Sequence, residues 1–176
     1  MSILIYAESA EGKFKKVAFE LASYAKKVAD AMGTSVTAVT INANNTSELG
    51  KYGVTKVHQV ANESLNHFDA RVNATVTAEA VKLAGADVIV FAHNTNGKAI
   101  APAVAVKLNA GIVTGASALP KTDNGFVVTK TVFSGKAFAS IKIDTPIKVI
   151  TINQNSFGTQ STEGTATLET LAVSVP

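Results

Sequence analysis

The amino-acid sequence predicts an α/β protein built on an open, mostly parallel sheet with helices on both faces and an antiparallel extension at its C-terminal end. Three observations predict it. Short β-branched runs alternate with segments of helical periodicity as far as Leu119, the pattern of βα units feeding a parallel sheet. The run "DVIVFA" from Asp87 sets valine and isoleucine on consecutive positions, as a strand covered on both faces requires. After Pro120, three strand-like segments follow one another with no helix between them.

In chain order, "ILIYA" (Ile3 to Ala7) is the first strand. A helix follows from about Phe14 to Met32, with Val17, Leu21, Tyr24 and Val28 at helical spacing and Gly33 placed to end it in a left-handed conformation. "SVTAVTI" (Ser35 to Ile41) is the second strand. A short polar segment around Glu48 leads to "VTKVHQV" (Val54 to Val60), and a helix spans about Phe68 to Leu83. "DVIVFA" is the fourth strand, Ala99 to Leu108 the next helix and "GIVTGASAL" the fifth strand. "GFVVTKTVFSG" and "KAFASIKI" form a hairpin turning at Ser134–Lys136, and "IKVITIN" extends the antiparallel part by one more strand. From Gly158 the composition turns to Thr, Ser, Gly and Glu. The chain is therefore expected to divide into an α/β domain over residues 1–157 and a linker over 158–176, with an edge strand near Leu168 to Val173.

Composition narrows the function. The 176 residues carry 16 basic and 13 acidic side chains, with the lysines spread from Lys13 to Lys148 rather than gathered in a stripe. No aromatic-flanked RNA motif or basic helix accompanies them, so nucleic acid is not the expected partner. Cysteine is absent, which excludes disulfides and thiol chemistry. Apolar runs are far shorter than the roughly 20 residues of a membrane helix, and "SILIYAES" follows Met1 with no basic leader. The expectation is a soluble, cytoplasmic domain. His58, His67 and His93 stand alone in sequence without metal-ligand spacing, and no Gly-x-Ser-x-Gly elbow occurs, so neither a metal site nor a catalytic residue is expected. The cluster Lys13, Lys15, Lys16, Lys26 and Lys27 reads as a solvated helix face, with a docking surface as its second reading.

One turn invites chemistry. Between the fourth strand and its helix lie Asn94, Asn96, Gly97 and Lys98, where backbone N–H groups and a helix N-terminus could receive an anion. Gly97 would let backbone approach a phosphate, Lys98 could supply charge, and the two asparagines could cap the helix. A βα turn needs a cap and a flexible residue in any case. The Walker A pattern lacks its first glycine and its hydroxyl residue here, and Gly-x-Gly-x-x-Gly is missing, so these four residues are candidates for a weak anion site only.

Taken in order, "NGKAIAPAVAVKLNAGIVTGASAL", "KTVFSGKAFASIKI" and "IKVITINQNSF" resemble one family. The whole chain looks like the amino-terminal domain of an electron transfer flavoprotein alpha subunit. In that family a Gly-Lys-x-x-x-Pro segment opens the fourth helix, matched by Gly97, Lys98 and Pro102. An aromatic-small-Gly turn is matched by Phe133, Ser134, Gly135 and Ala137, and a strand leading to Ser-Phe by Lys148, Val149, Ser156 and Phe157. Members commonly carry arginine where Ala103 and Asn153 stand and asparagine where Lys136 stands, so two directional arginine forks are replaced here.

The resemblance implies an adenine nucleotide alpha hydrolase-like fold. It further implies a scaffold role in a heterodimer that carries electrons from flavin dehydrogenases to a quinone reductase or other acceptor. The FAD of the parent protein would sit mainly in a second, Gly-rich domain that these 176 residues lack, so the chain reads as a fragment with no cofactor of its own. The beta subunit is the implied partner. The docking candidates are Phe126, Val128, Val132, Phe133, Phe138 and Ile141 of the hairpin, of which only one strand parity can face outward. Self-association of the isolated piece is expected on the same ground. The alternative reading is a free-standing ATP- or AMP-binding stress-type protein of the same broad fold.

Overall fold

The computed structural model describes residues 2–173. Its strands are β1 (Ile3–Tyr6), β2 (Ser9–Ala10), β3 (Lys13–Phe14), β4 (Val36–Ile41), β5 (Val54–Val60), β6 (Val88–Ala92), β7 (Gly111–Ala116), β8 (Phe126–Val132), β9 (Ala137–Ile143), β10 (Lys148–Ile152) and β11 (Thr167–Thr170). The helices are α1 (Lys16–Met32), α2 (Ala70–Ala84) and α3 (Thr95–Lys107), with short 3-10 segments at Thr46–Tyr52 and Glu63–Leu65. Nine strands form one sheet in the order β11-β5-β4-β1-β6-β10-β7-β8-β9, and β2 and β3 make a separate two-stranded hairpin.

Strand alternation divides the core in two. Ile3 and Ile5 of β1 pack with α1 in one apolar cluster, and Leu4 and Tyr6 pack with α2 and α3 in the other. Each helix ends where its sequence stops it. Gly33 closes α1 with φ 64°, and the Thr34 amide reaches back to the Ala29 carbonyl at 2.9 Å. Asp69 caps α2 by accepting from the Arg71 and Val72 amides.

The mostly parallel sheet with helices on both faces is as expected, but the C-terminal strands are arranged differently from the expectation. Only β8 and β9 form the antiparallel extension. β10 does not add beyond them; it returns to the middle of the sheet and pairs parallel with both β6 and β7. The reason is burial. "KVITI" is apolar on consecutive positions, like β6, and Val149 to Ile152 are buried, which only a central strand covered by helices on both sides allows. α3 also begins earlier than its apolar pattern suggests, at Thr95, because the Asn94 side chain accepts from the Gly97 amide and starts the helix there.

Beyond β10 the chain is a strap and not a free end. Glu20 of α1 is buried and accepts from the Asn155 and Phe157 amides, each at 2.9 Å. Ser23 accepts from the Gln160 amide, and the Tyr24 ring meets Phe157 edge-on at 4.6 Å. The strap then passes the 3-10 segment, where Thr162 donates to the Lys51 carbonyl and the Gly50 backbone lies against Thr165 and Ala166 so closely that no side chain would fit. It ends in β11, parallel to β5. The last three residues of the expected 158–176 linker lie outside the described residues.

His58 of β5 is 2% exposed, and neither ring nitrogen has a hydrogen-bond partner among the described residues. Burial pushes its pKa below the ordinary histidine value; Glu169 opposite it on β11 acts the other way, and Lys56 reinforces the depression. A histidine whose folded pKa is depressed binds fewer protons folded than unfolded. Its stabilising contribution is therefore complete above about pH 6.5 and is lost as pH falls toward the folded value. Urea denaturation across pH 5 to 8 is expected to show stability falling on the acid side, with a shallower fall in His58→Phe. His93 is depressed in the same sense and keeps part of the slope. An identical slope in the variant would remove His58 as its source.

Candidate functional site

In an open parallel sheet the crevice for a ligand lies at the carboxyl ends of the strands, where the strand order reverses. Here the chain builds β1, β4 and β5 in one direction and then returns to place β6 on the other side of β1. The reversal therefore falls between β1 and β6. The loop after β1 brings Glu8 to this point, and the turn after β6 brings Asn94, Asn96, Gly97 and Lys98.

The crevice is filled by the chain's own carboxylate. Glu8 is 5% exposed. One oxygen accepts from the Asn94 side-chain amide at 2.7 Å, and the other accepts from the Asn96 amide at 2.5 Å and pairs with Lys15. The Asn94 oxygen accepts in turn from the Gly97 amide at 2.8 Å. An anion at this helix start would meet an asparagine already committed to the cap and a negative charge already in place. A pyrophosphate group, as in a nucleotide or FAD, does not fit these residues.

Gly97 has a packing role. A Cβ on it would stand 1.8 Å from the Ala92 carbonyl oxygen, so glycine is required for α3 to start against the end of β6. Lys98 is exposed, and its charge helps to lower the His93 pKa, for which burial is the main cause. His93 pairs through Nδ1 with the Thr151 hydroxyl at 2.8 Å, and that oxygen also accepts from the Gly115 amide at 2.8 Å, at a bulge in β7. This group ties β6, β10 and β7 together at their carboxyl ends. No cluster of metal-ligating side chains occurs among the described residues.

The sequence-predicted site residues thus fall in two places. Asn94 and Asn96 come together around Glu8, Gly97 is joined to them through the Asn94 side chain, and Lys98 is exposed beside them. An acidic residue directly after the first strand of a βα alternation is the signal that could have found Glu8. Glu20 and Thr151, by contrast, have no motif at all, since their partners are distant in sequence.

The six hairpin candidates separate by parity. Phe126 and Val128 are buried in the cluster under α1, and Val132 is half-buried. Phe133 at the hairpin tip is 80% exposed and Phe138 is 73% exposed, while Ile141 is 39% exposed. In register Phe138 lies opposite Thr131, and Ile141 opposite Val128, so the two exposed β9 side chains stand on opposite faces of the hairpin. Phe133 and Phe138 are the most exposed of the six.

No helix among the described residues is long and apolar enough to cross a membrane. A family model for the electron transfer flavoprotein domain matches residues 3–176. The chain is 33% identical over 144 residues to the electron transfer flavoprotein subunit alpha of Thermoanaerobacterium thermosaccharolyticum, which covers 80% of this chain and 44% of that protein. It is 25% identical to the corresponding subunit of Bacillus subtilis over 98% of this chain and 54% of the relative. It is 31% identical to the lactate dehydrogenase (NAD(+),ferredoxin) subunit LctC of Acetobacterium woodii, over 79% of this chain and 34% of that protein. The chain thus spans about half, or less, of the length of these curated relatives. Because that family match runs along nearly its whole length, the chain belongs to the electron transfer flavoprotein domain family.

Proposed function

We propose that this chain is the scaffold domain of an electron transfer flavoprotein alpha subunit. It pairs with a beta subunit in a heterodimer that carries electrons from flavin dehydrogenases to a quinone reductase or another acceptor. The observation that carries this reading is the crevice at the strand reversal, where Glu8 stands in the place of a ligand's phosphate. A domain of this family whose β1–β6 crevice is occupied by its own side chains offers surfaces, and in this reading its contribution is to hold a partner. FAD in the parent protein is then held mainly outside these residues, and this chain supplies no active site of its own. The surface offered to the beta subunit is the side of the hairpin that carries Phe133 and Phe138, since uncovered aromatics are the usual anchors of an interface.

Co-expression with the cognate beta subunit, followed by size-exclusion chromatography and calorimetry, tests the reading. The isolated chain is expected to be colourless and to bind neither FAD nor AMP at micromolar concentration. Together with the beta subunit and the remainder of the alpha subunit it is expected to form a complex. Phe133→Asp and Phe138→Asp are each expected to weaken that complex by roughly tenfold or more. Failure of the wild type to assemble, or stoichiometric flavin on the isolated chain, would overturn the scaffold reading; unchanged assembly in both variants would move the docking surface elsewhere.

A further inference from the structure

β9 is the last strand of the sheet, and its ladder to β8 determines which of its groups point outward. Val127 of β8 exchanges both backbone hydrogen bonds with Lys121, and the Thr129 carbonyl accepts from Ser117, so odd-numbered residues of β8 bond away from β9. The residues that bond to β9 are therefore Phe126, Val128, Lys130 and Val132, whose partners are Ile143, Ile141, Ala139 and Ala137. By alternation, the N–H and C=O groups of Phe138, Ser140 and Lys142 face away from β8, at the open end of the sheet. All three residues are exposed, so a ready ladder lies in solvent.

The side chains along this edge are self-complementary. The stretch from Lys136 to Asp144 reads Lys-Ala-Phe-Ala-Ser-Ile-Lys-Ile-Asp, with Ser140 at its centre. When a second copy lies antiparallel about a two-fold axis normal to the sheet at Ser140, Lys136 of each copy faces Asp144 of the other. Phe138 then faces Lys142, whose aliphatic stem covers the ring and whose ammonium can approach its face. Ile141 faces Ala139 on the other side of the sheet. Asp144, already 3.1 Å from Lys142 of its own chain, would acquire a second cation. Sliding the register to centre on Ala139 sets Lys136 against Lys142, and centring on Ile141 sets Phe138 against Asp144, so charge favours one alignment.

We infer that β9 is a pairing edge for a second copy of this chain, joining two nine-stranded sheets into one through an antiparallel β9–β9 ladder centred on Ser140. The inference is independent of the electron-transfer reading. Because Phe138 serves both, the homodimer and the beta-subunit complex exclude each other at this edge.

Sedimentation equilibrium on the purified chain tests it. The wild type is expected to show a monomer–dimer equilibrium. Ser140→Pro removes an outward N–H without touching the β8 ladder, and it is expected to abolish the dimer while leaving the monomer folded by circular dichroism. Lys136→Asp and Asp144→Lys are each expected to raise the dissociation constant by roughly tenfold, since the symmetric dimer loses the pair twice and acquires like charges in its place. The double exchange is expected to restore wild-type association. A wild-type chain that stays monomeric at high concentration would sink the inference and leave the scaffold reading intact. A dimer unaffected by Ser140→Pro, or a double exchange that fails to restore association, would place the contact elsewhere. If the homodimer forms and the chain takes up no beta subunit, the scaffold reading fails and this inference stands.

Discussion

Gly97→Ala is expected to destabilise the fold by about 3 kcal/mol or more, although it adds a single methyl group to a residue at the start of a helix. The added carbon would stand 1.8 Å from the Ala92 carbonyl oxygen, and the obstacle is backbone at the end of a central strand and not the tip of a flexible side chain. Relief requires α3 to move away from β6. That motion would stretch the Asn94 cap and disturb Ile100, Ala101 and Val104, all fully buried against the sheet. Urea denaturation should show a clear fall in midpoint. Gly135→Asn is the control, since a Cβ there meets nothing and asparagine tolerates its positive φ. Equal midpoints for Gly97→Ala and the wild type would show that the close approach is not present in solution. A bulky residue at Gly97 is for the same reason a poor probe of ligand binding, because loss of binding would follow from loss of fold.

The second large effect is expected at Glu20. Its carboxylate accepts two backbone amides of the strap, and Glu20→Ala removes the acceptor of both at a half-buried site beside an open pocket. A hydrogen bond to a charged acceptor contributes about 1.5–3 kcal/mol, and water from the adjoining pocket replaces part of both, so a loss of about 2 kcal/mol is expected. Hydrogen exchange locates the effect. The amides of Asn155 and Phe157, and with them the rungs of β11 on β5, are expected to lose protection more than β1 and β6 do. Retained protection along the strap would mean that the Tyr24–Phe157 contact and the Gly50 passage hold it without Glu20.

The βα alternation was legible because burial on one or two faces leaves a period in the sequence, and that period is local. "VTKVHQV" and "DVIVF" could be read for this reason. Position within the sheet leaves no such trace. Nothing in "IKVITIN" states that it passes between β6 and β7, although its adjacent Val149 and Ile150 set it apart from β9, in which exposed residues alternate with half-buried ones. The hairpin aromatics illustrate the same limit. All of them are apolar and β-forming, and only the register of β8 on β9, together with the absence among the described residues of a helix over the outer face, sends Phe126 inward and Phe138 outward. The turn after β6 could be read as a cap, but Glu8 lies 86 residues from Asn94 and 88 from Asn96, so its position after the first strand is legible while its pairing with the two asparagines belongs to tertiary structure.

The central place of β10 also fixes when the fold can form. During synthesis β6 and β7 emerge before β8, β9 and, last of the inner strands, β10. Until Lys148–Ile152 leaves the ribosome, β6 has no neighbour on one side and β7 has none where its parallel partner belongs. At about 5–20 residues per second that interval lasts on the order of seconds, much longer than hydrophobic collapse takes. The nascent chain must therefore hold a gap open, or let β6 and β7 separate after a premature pairing, before the last inner strand arrives. A parallel sheet closed from its middle by a late strand is completed as one cooperative event only once that strand has emerged, and any nascent chain that stops short of Ile152 leaves the facing edges of β6 and β7 unpaired.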